Sequence, residues 1–192
     1  MNYADVPGLT SVPLLQTLVE LAAAVPADQA VVEIGVFRGR SLCALGAGAA
    51  GGAGAHVWGV DPWDLPGQRT TLRGATRLAG RYMQPATRRA ARRHVRACGL
   101  AERVSLVRGF SAEVAAGWEG PLVGLLHVDG DHRQAGRDAE AWWPHLAAGA
   151  VIAFDDHQYA SVAADVAALV ASGRTTAVDV RHGRLAVLRR LP

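Results

Sequence analysis

Two apolar runs in this chain end in acids followed by a histidine. Leu125-Leu126-His127-Val128 leads into Asp129-Gly130-Asp131-His132, and Val151-Ile152-Ala153-Phe154 leads into Asp155-Asp156-His157. Read as buried strands, both deliver carboxylates to one edge of a sheet. In open α/β sheets the carboxyl ends of the strands are where ligands bind. Clustered carboxylates repel one another, and they persist where a cation or a shared proton compensates them. The pattern points to a hard-metal site beside a small-molecule pocket.

Something must hold those two strands side by side. Ala30-Val31-Val32-Glu33-Ile34 reads as a buried strand that runs into a glycine turn. His56 to Asp61, Val104 to Arg108, Leu122 to Val128 and Ala150 to Phe154 read as four more. Helical spacing occupies 12–24, with Pro13 near its start, then Ser41 to Ala47, Asp138 to Leu146 and Ser161 to Ser172. Gly46 to Gly54 reads as a loop or a weak helix end. Thr175 to Val180 and Leu185 to Leu188 flank His182-Gly183, a turn signal for a closing hairpin. Strands that alternate with helices and end in a hairpin make a doubly wound, mostly parallel seven-stranded α/β sheet with a C-terminal antiparallel hairpin.

At 192 residues the chain is expected to form a single domain, with a lid or insertion at 62–101 crossing the carboxyl edge of the sheet. No apolar run reaches the roughly 18 residues of a membrane span. The N-terminus lacks the charged start and apolar core of a secretion signal, so a cytoplasmic location is expected. Cys43 and Cys98 are too few and too far apart for a disulfide framework. All 20 basic side chains are arginine, the usage of a GC-rich genome. The absent lysine argues against Schiff-base chemistry and against a phosphate-binding P-loop.

The turn after the first strand is E-x-G-x-x-x-G, from Glu33 through Gly35 to Gly39, with Ser41 just beyond. Its glycines let backbone approach a ligand closely. It is not the G-x-G-x-x-G of dinucleotide binding, and Glu33 would repel a phosphate. Glu33 suits a cationic group instead, an amine or a sulfonium. Asp61, ending the second strand, is placed to accept hydrogen bonds from ribose hydroxyls. Together they ask for a cationic nucleoside, which S-adenosylmethionine satisfies.

The segments VVEIGVFRGRSL, VWGVDPWD and LLHVDGDHRQAGRDAEAWWPHLAAGAVIAFDDH resemble class I S-adenosylmethionine-dependent methyltransferases. Among these the chain looks most like the small-molecule O-methyltransferases of the macrocin, mycinamicin and cephalosporin-pathway type. The resemblance covers about residues 30–160. It implies a Rossmann-like fold and a cofactor held by Glu33 and Gly35 at its amino-acid end. It also implies that Asp61 holds the ribose and the Gly109-Phe110-Ser111 loop the adenine. Gly39, Ser41, Trp63 and Asp129 complete the candidate cofactor set. The same resemblance implies Mg²⁺ on Asp129, Asp155 and Asp156. Such an ion would bind a substrate hydroxyl and lower its pKa. Asp131 or His132 is the candidate base. Imidazole favours His132, because it titrates near neutrality. His157 is a third candidate, whose plainer role is a cap.

Between Leu65 and Ala101 there are nine arginines and no acid. Arg69, Arg73, Arg77 and Arg81 recur every four residues, which stacks like charges on one helix face. A solvated face, a lid gripping an anionic substrate and a nucleic-acid surface are the three readings. Tyr82 is the only aromatic there, which disfavours stacking on single strands. The expected partner is a small hydroxylated acceptor, possible as an anion, with nucleic acid disfavoured and no membrane. The short chain ahead of the first strand makes a small lid, which points to a homo-oligomer. The alternatives are a metal-independent methyltransferase and a non-catalytic nucleic-acid-binding module on a degenerate core.

Overall fold

The computed structural model describes residues 1–63 and 87–192. Seven strands form one sheet: β1 Ala30–Ile34, β2 His56–Asp61, β3 Val104–Arg108, β4 Val123–Val128, β5 Leu146–Phe154, β6 Asp179–Arg181 and β7 Leu185–Arg189. Their order across the sheet is β3-β2-β1-β4-β5-β7-β6. The first five pair in parallel, and β7 runs antiparallel to both β5 and β6. Every residue of β1 and of β4 is buried, as expected of central parallel strands covered on both faces. This is the doubly wound, mostly parallel sheet with a closing hairpin that the strand pattern predicts, and the Rossmann-like fold that the resemblance implies.

Helices α1 Val12–Ala23 and α2 Arg40–Gly51, together with helical backbone over 87–97 (α3), cover one face. Helices α4 Ser111–Ala116, α5 Ala135–Trp142 and α6 Ala160–Ala171 cover the other. The period of two along each strand sorts the core. Val31, Val57 and Leu125 pack with Leu14, Leu18 and Leu42 on the first face. Val32, Leu126 and Ile152 pack with Trp142, Val162 and Val166 on the second. Each such aliphatic side chain contributes about 1.5–3 kcal/mol relative to exposure. Glu33, His127 and Asp155 fall in phase with the first face, so the central strands direct these three polar groups to that side near their carboxyl ends.

Of the two readings of Gly46 to Gly54, a loop or a helix end, the structure takes the second, because α2 continues to Gly51. The reason is close helix packing. A Cβ on Gly48 would stand 2.2 Å from the Val19 carbonyl oxygen of α1. Glycine here lets two helix backbones touch rather than breaking one. The helix read as Asp138 to Leu146 is α5 followed by a 3-10 turn at Trp143–His145, and β5 begins earlier, at Leu146. No helix among the described residues is long and apolar enough to cross a membrane.

Candidate active site

Strand order reverses between β1 and β4, the point at which open α/β sheets form a ligand crevice beyond the strand ends. The loop after β1 is held by a carboxylate. Asp61 Oδ2 accepts the amides of Val36 and Phe37, both at 2.9 Å, and Oδ1 accepts the Trp63 amide at 2.6 Å. Asp61 therefore ties the end of β2 to the glycine turn. A carboxylate has roughly four acceptor positions, so about one is left for a ligand. Burial raises the Asp61 carboxyl above its ordinary range, and these three amides oppose the rise.

Gly35 has φ of 90°, and a Cβ there would lie 2.1 Å from the Asp129 carbonyl oxygen. The Asp129 amide donates back to Ile34 at 2.8 Å. The turn is thus wedged against the end of β4. Gly39 caps α2 with φ of 83°, and Ser41 is buried in the first turn of that helix. Trp63 is fully buried; its indole N–H donates to the Phe37 carbonyl at 3.2 Å, and it packs in the core. That arrangement supports the turn from beneath. Phe37, Trp63 and Asp156 all adopt φ between 42° and 59°. Such strain in non-glycine residues collects at functional sites.

Glu33 is fully buried, with Oε1 3.0 Å from His127 Nδ1 on the neighbouring strand. Glu33 Oε2 and His127 Nε2 have no hydrogen-bond partner among the described residues. Unpaired buried polar atoms are costly, and each stands ready for a donor or acceptor that a ligand could bring.

At the ends of β4 and β5 the acids find an internal cation. Arg184 Nε and Nη2 grip Asp155 Oδ1 and Oδ2 at 2.6 and 2.9 Å, and Nη2 also lies 3.0 Å from Asp156 Oδ1. On its other oxygen, Asp156 contacts His132 Nε2. The His132 ring stacks on Tyr159, centroids 4.4 Å apart and 17° from parallel. Asp131 is spoken for: its oxygens take the Arg133 amide and guanidinium and the Gln134 amide nitrogen. Burial works to raise the Asp131 carboxyl, but those bonds outweigh it and hold it below the ordinary range. A lowered carboxylate is a weaker base, which favours His132 of the two candidates. Asp129 is driven well above its ordinary range by burial first, then by Asp155, Glu33 and Asp156, with Arg184 opposing. The His157 amide donates to the Arg184 carbonyl at 2.8 Å, while the helix that follows has Tyr159 at its N-cap, so His157 does not cap it.

Ser111 is buried at the start of α4, after Phe110, and its Oγ accepts the Trp142 indole N–H at 3.0 Å. Asp138 also hydrogen-bonds Ser111, yet burial pushes its carboxyl up to about 6. The folded protein therefore keeps this proton between about pH 4 and pH 6, where the unfolded chain has released it, and stability falls as pH rises through that window. Asp138→Asn removes the ionisable group. It should raise the melting temperature near pH 8 and leave it nearly unchanged near pH 4, with an upper limit of about 3 kcal/mol. Thermal melts at the two pH values check this, and equal shifts at both would contradict it.

Mg²⁺ was expected on Asp129, Asp155 and Asp156. The donor atoms that lie within 4.8 Å of one another are those of His127, Asp129 and Asp155. That set brings in an imidazole, which Mg²⁺ takes less readily than oxygen, and omits Asp156. With Arg184 on Asp155 and Asp156, the expected trio as arranged does not fit the ion. Sequence reasoning missed Arg184, Tyr159 and Asp138. Arg184 had a usable signal: an antiparallel strand after the hairpin must start where β5 ends, and Phe154 indeed pairs with Ala186.

Arg69, Arg73, Arg77 and Arg81 lie outside the described residues. On α3, Arg89, Arg92, Arg93 and Arg96 are exposed, and Arg88 sits 5.6 Å from the Trp63 ring centroid.

No curated protein matches the chain. Three of the solved structures that share its fold illustrate the likeness. The O-methyltransferase NovP matches at TM-score 0.73 and 17% identity, over 95% of this chain and 81% of that one. Cofactor-bound Rv0187 from MTB matches at 0.70 and 21%, over 98% and 84%. The O-methyltransferase TomG from Streptomyces achromogenes, involved in tomaymycin synthesis and solved with S-adenosylmethionine, matches at 0.68 and 16%, over 96% and 82%. A family described as a methyltransferase domain matches residues 32–157, from β1 through the Asp155-Asp156-His157 end of β5. That span is most of the chain and contains the glycine turn, Asp61 and both acid clusters, so this protein belongs to that methyltransferase family.

Proposed function

We propose that this protein transfers a methyl group from S-adenosylmethionine to a hydroxyl of a small metabolite, a sugar or a natural-product intermediate. The observation that carries the reading is the Asp156–His132 pair, set beside the crevice where strand order reverses. When bound, S-adenosylmethionine supplies an electrophilic methyl on a sulfonium. Glu33 is a buried acceptor with one unpartnered oxygen, suited to the amino end of that cofactor. Asp61 retains acceptor capacity for ribose, and Phe110 and Ser111 border the adenine side. His132 has Nε2 committed to Asp156, which leaves Nδ1 to take the hydroxyl proton as the oxygen attacks. Most of the remaining contribution is alignment of the two reactants. The O-methyltransferase activity of NovP and TomG supports this reading through shared fold.

Calorimetric titration with S-adenosylmethionine tests it. Saturable binding is expected, and Glu33→Gln should weaken it by about tenfold, the scale of one charge-assisted hydrogen bond. Unchanged affinity in the variant would place the amino-acid end elsewhere. No binding to the native protein would sink the reading.

A further inference from the structure

We propose that the Arg184 guanidinium stands where a divalent cation would sit among the carboxylates of β4 and β5, and that it closes this site to Mg²⁺. The inference rests on the methyltransferase reading for its relevance to catalysis, but its geometry is independent of that reading.

Clustered acids need a compensating charge, and here the chain provides one. Asp155 Oδ1 takes Arg184 Nε and the Asp156 amide, at 2.6 and 2.8 Å, while Oδ2 takes Arg184 Nη2 at 2.9 Å. Asp156 Oδ1 takes Arg184 Nη2 and Gln158 Nε2, at 3.0 and 2.9 Å, and Oδ2 faces His132. Three of roughly four acceptor positions on each carboxylate are therefore filled. A metal ion needs lone pairs of several oxygens converging on one point, and the planar guanidinium fork already uses that convergence. Arg184 is not a wandering surface side chain. β7 fixes its backbone beside the end of β5 through the Phe154–Ala186 pairing, and its carbonyl accepts the His157 amide at 2.8 Å.

Two consequences follow for the chemistry. Arg184 is a positioning residue: it fixes the Asp156 carboxylate from one side, so that Asp156 fixes the His132 ring from the other. Nη1 takes no part in these bonds, and the side chain is 31% exposed. Its N–H groups are left to donate to an acceptor oxygen, a task a metal would otherwise perform. An arginine holds an oxygen by hydrogen bonds but cannot ionise it by coordination, so proton removal falls to His132.

Binding of Mn²⁺, followed by electron paramagnetic resonance with Mg²⁺ as competitor, tests this without any turnover. The native protein should show no saturable site at millimolar Mn²⁺. Arg184→Gln, which keeps much of the stem, should gain one, at least about tenfold tighter, because a like charge at contact distance has been removed. Adding Asp155→Asn to that variant should abolish the gain. Arg184→Ala serves as a second opening variant, and circular dichroism establishes that each is folded. Saturable Mn²⁺ binding by the native protein that Asp155→Asn removes would overturn the proposal. So would folded Arg184 variants in which the site stays closed. A chain that binds no S-adenosylmethionine yet follows the expected Mn²⁺ pattern would lose its proposed function and keep this inference.

Discussion

His132→Ala is expected to lower kcat by about 10²–10⁴-fold, the contribution of a positioned general base. That loss corresponds to about 3–5 kcal/mol of barrier. The size follows from the geometry. Asp131, the other candidate, is bound on both oxygens by Arg133 and Gln134, so it cannot substitute without breaking those bonds. His132 carries no buried core packing, with its side chain 25% exposed, so the variant should fold and bind cofactor normally. The loss should appear in kcat with KM little changed. Added imidazole should restore part of the rate, because it can enter the space beside Tyr159 that the ring has left. Full activity in His132→Ala would remove the residue from the mechanism. A matching loss of melting temperature would make its role structural.

Gly35→Ala should be among the most damaging single changes in the chain, costing about 4 kcal/mol or more. Two terms add. A side chain at φ of 90° is strained, by about 1–2 kcal/mol. The new Cβ would also stand 2.1 Å from the Asp129 carbonyl oxygen and 2.6 Å from its carbon, both backbone atoms that cannot swing aside. Gly149→Ala separates the terms. Gly149 has φ of 75° with nothing near its Cβ position, so it should lose only the conformational part. Urea unfolding of both variants reads the difference. Equal losses would mean that the β1 turn relaxes away from β4 easily, and that the crevice is soft rather than preset.

Much of this was legible from residues alone. β1 and β4 announce themselves as short apolar runs because both of their faces are covered. Their acids stand at one edge because parallel strands all point the same way. The 46–54 stretch stayed undecided between loop and helix end because glycines signal a loop locally, while the requirement that Gly48 meets lies on another helix, at Val19. Asp61 shows the same split: its position at a strand end is a local fact, but its three amide partners come from a turn 24 and 25 residues earlier and from Trp63. Arg184 was the hardest. Nothing around Arg181-His182-Gly183-Arg184 suggests a site, and its partners Asp155 and Asp156 are 29 and 28 residues away. The charge argument asked for a cation or a shared proton; only the pairing of β7 with β5 brings Arg184 to the acids.

That dependence on β7 has a consequence for the chain as it is made. Asp155 and Asp156 leave the ribosome 29 and 28 residues before Arg184. At typical elongation rates the interval is about 1.5–6 s, far longer than local collapse. During it the nascent sheet can assemble β1 through β5 with its acidic edge uncompensated. Only water and mobile ions offset the repulsion until the hairpin docks. The compensation of that edge therefore comes late in synthesis, with the arrival of one arginine.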